Sequence, residues 1–311
     1  MKLAYHRNYF LRSLANLWSP HTPSAALEAL GIYLALTETI DYVAGSASGN
    51  AGTHHSWYWL VGLALFALIY AAWRRRPPTK IACRVKNQDV TVEIAVGDIF
   101  SFSGSLIIGS NTTFDTNVSQ NLIARTSIQG IFTEKYYSSP AELDTALEPA
   151  LNGLPHTELL GHRVGKGKEY PIGTCVRVNT RERSAYLLAL AKMNAHGVAQ
   201  SSFQDLQDTL PKLWEFIATR GSKEDLLIPV LGTGFSRLLQ SRQDVIREII
   251  LSFLAACTER TFCDKLTIVI APQDLAKNNI SIESLGDFLG HHCRYRAPRS
   301  QVVGSIGTPA T

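Results

Sequence analysis

The sequence has no CxxC pair, and its five cysteines, Cys83, Cys175, Cys257, Cys263 and Cys293, are odd in number. That excludes a fully paired disulfide framework and a cysteine-rich zinc site, and it reads as reduced, mostly buried thiols in a cytosolic domain. No GxGxxG follows any strand-like run, so the dinucleotide fingerprint of a Rossmann-type module is missing. No internal repeat is visible. The metal-like groupings are few: His54 with His55, and His291 with His292 and Cys293. Neighbouring histidines point to opposite faces of a strand or diverge by about 100 degrees on a helix, so they read as surface histidines and no metal is expected.

Charge is also scarce, at 18% of residues against 45% apolar, a globular composition with room for one to two domains. The formal net charge of +4 does not point to nucleic acid, because Lys2, Arg7, Arg12 and the run Arg74, Arg75, Arg76 carry much of the excess. Those residues flank something else. Residues 57–73, WYWLVGLALFALIYAAW, are 17 in a row without a charge, with Trp57 and Trp59 at one end and Tyr70, Trp73 and the three arginines at the other. Aromatic belts and a basic stop mark a membrane span. At 1.5 Å per residue it covers about 25 Å, short of the roughly 30 Å hydrocarbon core, so flanking groups must snorkel or the bilayer thin.

Residues 24–44 form a second apolar segment, interrupted by Glu28, Glu38 and Asp41. It is read as a first span, with an interfacial amphipathic helix as the alternative. Both outer flanks are basic and the loop between the segments has no Lys or Arg, which predicts a two-helix transmembrane hairpin in the cell (inner) membrane with both termini cytoplasmic. Residues 1–79 are thus the expected membrane region, with 74–79 its basic linker. A cleaved signal peptide is a poorer fit, because the apolar core contains acids and a second apolar stretch follows.

From 80 to 292 the pattern alternates. Strand-like runs lie at 80–86, 90–96, 104–109, 173–178, 185–192, 225–231 and 265–271, with helical periods at 199–219 and 240–259. This predicts an α/β domain, a mixed and centrally parallel sheet flanked by helices, followed by a disordered tail over 293–311. Ligands of such sheets sit at the carboxyl ends of the strands, and three of these ends carry small and polar residues. The first is VGDIF, where Asp98 has a carboxylate able to accept from an exocyclic amine such as that of adenine. The second is IIGSNTTFDTN, with Ser110, Asn111 and Thr112 together. The third is IPVLGTGF, where Gly232, Thr233 and Gly234 form either a plain strand-to-helix turn or a cradle of backbone N–H groups for an anion.

This ordered trio resembles the macro domains, the ADP-ribose-binding α/β family, over residues 90 to about 275. The resemblance implies that Asp98 binds the adenine amine and Ile99 packs on its ring. It also implies that Gly232, Thr233 and Gly234 wrap the diphosphate, that Phe235 lies along the distal ribose, and that Asn111 falls at the position of the family's distal-ribose asparagine. The match departs from the pattern at Gly109, Ser110 and Asn111, where the family has a double-Asn signature. It departs again at TSIQGIF, residues 126–132, where hydrolytic macro domains have a glycine-rich loop and only Gly130 remains. Lys166 and Lys168 in GKGKEYPIG are phosphate neighbours or a solvated basic hairpin.

Two membrane helices joined to such a domain resemble the membrane effectors of Thoeris antiphage systems, the ThsA type with transmembrane and macro domains. The resemblance implies an ADP-ribose-derived signal, histidine-ADP-ribose from a TIR-domain partner enzyme, and disruption of the lipid bilayer by homo-oligomers assembled on activation. No cofactor, catalytic residue or nucleic acid is implied. A membrane-tethered ADP-ribosyl hydrolase is the alternative, with Asn111 and Asp115 its local candidates. A membrane-anchored Rossmann-type module is the third reading.

Overall fold

The structure is a computed structural model that describes residues 79–295, apart from 119–121, 160–164, 194–198, 233–239 and 279, together with Gly31, Tyr33, Ala35, Glu38, Gly62, Leu65, Phe66 and Tyr70. The chain divides into two compact units, Met1–Pro78 and Thr79–Thr311. In the first unit all eight described residues are helical. Phe66 meets Tyr33 with ring centroids 6.0 Å apart and Tyr70 at 6.2 Å. Among the described residues no helix is long and apolar enough to cross a membrane. The expected spans 24–44 and 57–73 and the linker 74–79 fall mostly outside those residues.

The second unit holds strands β1 (Lys80–Arg84), β2 (Thr91–Val96), β3 (Ser105–Asn111), β4 (Thr157–Glu158), β5 (Lys168–Glu169), β6 (Cys175–Asn179), β7 (Ser184–Met193), β8 (Ala199–Gln200), β9 (Leu226–Pro229) and β10 (Lys265–Ile270). Its helices are α1 (Ile128–Tyr136), α2 (Pro140–Leu151), α3 (Phe203–Arg220), α4 (Arg242–Glu259), α5 (Pro272–Lys277) and α6 (Ile282–Arg294). The main sheet runs β1-β2-β10-β9-β3-β7-β6, and β8 pairs with β7. Its five central strands are parallel; β1 and β6 are antiparallel to their neighbours. The expected mixed, centrally parallel sheet is the one observed.

Both faces of the central strands are apolar, as strands covered on two sides require. Alternation divides them. Leu226, Ile228, Leu266, Ile268 and Ile270 face the cluster built with α3, α4 and α6, whereas Leu227, Val269, Leu106 and Ile108 face the cluster built with α1 and α2. In the first cluster Trp214 is 1% exposed. It packs against Phe253 and Phe262, and its Nε1 donates to Ser252 Oγ at 3.1 Å.

The structure adds helices that the sequence pattern did not mark. Within TSIQGIF, residues 126–132, α1 starts at Ile128, with Ser127 as its cap accepting from the Gly130 N–H at 3.0 Å. The domain also continues past 292, because α6 runs to Arg294 and Cys293 is fully buried with its carbonyl accepting from Lys86 N at 3.1 Å. Ile282, Leu285, Leu289 and Cys293 form one buried stripe, so 293 belongs to the domain and not to the expected tail. Residues 296–311 of that tail lie outside the described residues.

Trp214→Ala removes a large buried side chain and should cost about 3–5 kcal/mol. Chemical denaturation of the full-length chain checks this, and a midpoint equal to wild type would contradict the packing described.

Candidate functional site

Because β2, β10, β9 and β3 are adjacent and parallel, their carboxyl ends share one edge of the sheet. Asp98 follows β2, Gly232 follows β9, and Ser110 and Asn111 end β3. Three steps of about 4.8 Å separate β2 from β3, so the edge spans about 14 Å from the first to the last of these groups.

Asp98 is exposed and caps the short 3-10 turn Ile99–Ser101. One carboxylate oxygen accepts from Phe100 N at 3.0 Å. The other has no partner among the described residues, which leaves a charged acceptor open at the surface. Gly97 N donates to Ile270 O at 3.0 Å, anchoring this turn to β10. The Ile99 side chain is buried in the cluster under α1 and α2.

Gly232 is half-buried, follows the buried Val230 and Leu231, and has φ 71. That left-handed conformation suits glycine and bends the chain sharply after β9. Thr233, Gly234 and Phe235 lie outside the described residues.

At the end of β3 the expected residues are buried and largely committed. Asn111 Nδ2 donates to Asp115 Oδ2 at 2.9 Å, and its Oδ1 accepts from Asp115 N at 2.9 Å and Thr113 Oγ1 at 3.2 Å. Thr112 donates through Oγ1 to Glu169 Oε1 at 2.9 Å and through its backbone N to Ala191 O at 2.8 Å, while its carbonyl accepts from Tyr170 N at 2.8 Å. The bonds to Glu169 and Tyr170 hold the end of β5 against the exit of β3, and the bond to Ala191 continues the pairing with β7. Ser110 differs: it is 4% exposed and its Oγ has no hydrogen-bond partner among the described residues. An unpaired buried hydroxyl costs about 1–3 kcal/mol.

Asp115, the local candidate of the hydrolase alternative, and Lys166, a phosphate neighbour or part of a basic hairpin by sequence, are both engaged by protein groups. Asp115 Oδ1 accepts from Lys166 N at 2.8 Å. The Lys166 ammonium lies 2.5 Å from Asp144 Oδ1 and donates to Phe114 O at 2.6 Å, so it is engaged by protein groups. Lys168 and Glu169 form β5, paired antiparallel to Thr157 and Glu158, which is the hairpin alternative. Beside it Tyr170 packs edge-on to Phe114 at 5.6 Å, and burial together with the Glu158 charge pushes its phenol pKa above the ordinary value. Glu169 and Asp144 are the residues that sequence reasoning missed, since both act through partners distant in the chain.

Among the described residues no group of three or more metal-ligating side chains gathers. The edge therefore carries one open carboxylate, a glycine turn and a buried hydroxyl with no partner among the described residues. It suits a ligand with an N–H donor at one end and acceptor oxygens further along.

A family model described as Thoeris protein ThsA, Macro domain, matches residues 92–271. The Thoeris protein ThsA of Bacillus amyloliquefaciens (strain Y2) is 26% identical over 229 residues, 71% of this chain and 75% of that one. Among solved structures, a point mutant of the Oceanobacillus iheyensis macrodomain is similar with 15% identity and a TM-score of 0.46, covering 68% of this chain and 99% of that chain. The Oceanobacillus iheyensis macrodomain with ADP has 15% identity and a TM-score of 0.45, with the same 68% and 99% coverage.

Gly232→Ala should destabilise the domain by about 1–2 kcal/mol, because an L side chain is strained at positive φ. Thermal or chemical denaturation measures this; wild-type stability would mean that the turn relaxes without cost.

Proposed function

Starting from the fact that the chain belongs to the Thoeris ThsA macro-domain family, we propose that its second unit is a receptor for an ADP-ribose-derived signal and that the chain is a membrane-anchored antiviral effector. The observation that carries the ligand class is the shared sheet edge: Asp98 with an open carboxylate oxygen after β2, the Gly232 turn after β9, and the unpaired Ser110 hydroxyl at the end of β3. Adenine fits the first, diphosphate the second, and a ribose hydroxyl fits the third. The family model adds support, since its match over residues 92–271 takes in all three of these strand ends.

Binding without turnover is the reading the bonding favours. A general base needs a group free to take a proton from water, and Asn111 and Asp115, the local candidates for a hydrolase, are bonded to one another and to Thr113. The signal on this reading is a conjugate such as histidine-ADP-ribose released by a TIR-domain partner.

The membrane part of the proposal rests on the uncharged run 57–73 and its arginine stop. The ring contact between Tyr33 and Phe66, one residue from each apolar segment, supports a pairing of the two. Ligand binding would then shift an equilibrium toward hairpins assembled across several chains.

Calorimetric titration of the full-length chain with ADP-ribose should show binding, and Asp98→Ala should weaken it by about 1.5–3 kcal/mol, the scale of a charge-assisted hydrogen bond. No binding by wild type would sink the ligand class. Incubation with histidine-ADP-ribose should release no free histidine, and release that is lost in Asn111→Ala would establish the hydrolase instead. Vesicles carrying the full-length chain should leak when the ligand is added; leakage that is independent of ligand would refute the receptor role.

A further inference from the structure

The polar cluster at the exit of β3 is more extensive than a binding residue requires. Asp115 is 1% exposed, and among the described residues its carboxylate makes no ion pair. It is instead held by donors: Asn111 Nδ2 at 2.9 Å, Lys166 N at 2.8 Å, and the Thr113 hydroxyl. A buried carboxylate without a paired cation is expensive, so such a group persists only where its hydrogen bonds are complete. The nearby ammonium of Lys166 is spent elsewhere, on Asp144 of α2 and on the Phe114 carbonyl.

The effect is to fix two separate loops to each other. Gly165 has φ +114, and a Cβ at this position would lie 2.8 Å from Asp115 Oδ1, so the chain passes closer than any side chain allows. Gln129 Nε2, from the first turn of α1, donates to the Asp115 carbonyl at 2.8 Å. The β3 exit, the flank of the β4–β5 hairpin, α1 and α2 all meet at this residue or at its partner Lys166.

Strand order says which part of a ligand would feel this. With adenine at β2 and diphosphate at β9, a bare nucleoside diphosphate ends at the glycine turn. Anything attached beyond the diphosphate meets the next strand, β3, and its exit loop. We infer that the Asp115–Lys166 node is a positioning element that shapes the distal end of the site and makes it select ligands extended beyond the diphosphate over ADP itself; this rests on the ligand class proposed above. Asp115 acts through Asn111 and the 111–116 backbone and does not touch the ligand.

The test compares ADP and ADP-ribose by calorimetric titration on the full-length chain, with thermal unfolding as a control. Wild type should bind ADP-ribose at least about tenfold more tightly than ADP, the scale of one retained polar contact. Asp115→Ala should lower the affinity for ADP-ribose by about that factor and leave ADP within about twofold. If this variant does not fold, Asp115→Asn keeps the shape and the acceptor for Lys166 N while placing an amide against the Asn111 amide, and the same selective loss is expected. Lys166→Ala should reproduce part of it and Lys166→Arg should restore most of the wild-type ratio. Equal weakening of both ligands, or an unchanged ratio in the folded variants, overturns the node and leaves the ligand class standing. Wild type that binds neither ligand overturns both.

Discussion

Five neighbouring strands that run the same way must end on the same edge, and the site depends on that constraint. Backbone bonding in the order β2-β10-β9-β3-β7 brings Gly232 to the same rim as Asp98 and Ser110, from which it is more than a hundred residues away in the chain. The apolar faces of Ile228, Ile268 and Leu188 on one side and Leu227, Val269 and Leu187 on the other hold the ladder from both directions. With strand spacing fixed at about 4.8 Å, the distances between these groups follow from strand order and are insensitive to individual side chains. Loop chemistry can then vary on a rigid support.

The two ends of the rim are built on opposite physical terms. At β2 the Asp98 carboxylate is exposed and half used, with one oxygen capping a turn and the other left to solvent. At β3 the Asp115 carboxylate is buried and bonded throughout. The first keeps its charge hydrated until a partner replaces the water, so it can contribute to binding. The second is closed to solvent and already accepts three hydrogen bonds, which tie the surrounding loops together. That contrast explains why carboxylates close together in the sequence take unrelated roles.

The seven longer strands β1, β2, β3, β6, β7, β9 and β10 were legible in the sequence because their apolar runs are bounded by Gly, Pro or polar residues, as in VTVEIAVGD and DLLIPVLG. The two-residue β4, β5 and β8 carry no such run. The long helices α3 and α4 were legible by period. Helix α2 carried a readable start, Ser139 and Pro140 followed by Glu142, with Leu143, Leu147 and Leu151 buried four apart. Pro149 inside its last turn weakens that signal. The stripe that carries α6 to Arg294 was equally present, hidden by the polar His291, His292 and Arg294 around it. The Asp115–Lys166 bond was not legible at all. Its partners are 51 residues apart, and no local pattern encodes a contact that exists only after the hairpin has docked on β3. The ion pair of Lys166 with Asp144 is a consequence of the same docking, and from sequence alone a lysine beside two glycines reads as readily for a phosphate.

The antiparallel first strand has a topological consequence of its own. A parallel β1 would bring the chain into the sheet at the edge away from the site. Because β1 runs opposite to β2, Lys80 pairs with Ala95, and the carbonyl of Thr79, the first residue of the second unit, accepts from Val96 N at 2.8 Å. Val96 is two residues before Asp98. The chain therefore enters the second unit beside the adenine end of the proposed site, and it crosses none of the core before reaching it. Strand direction alone, fixed by the short turn between β1 and β2, places the entrance of the chain and the open carboxylate on the same rim.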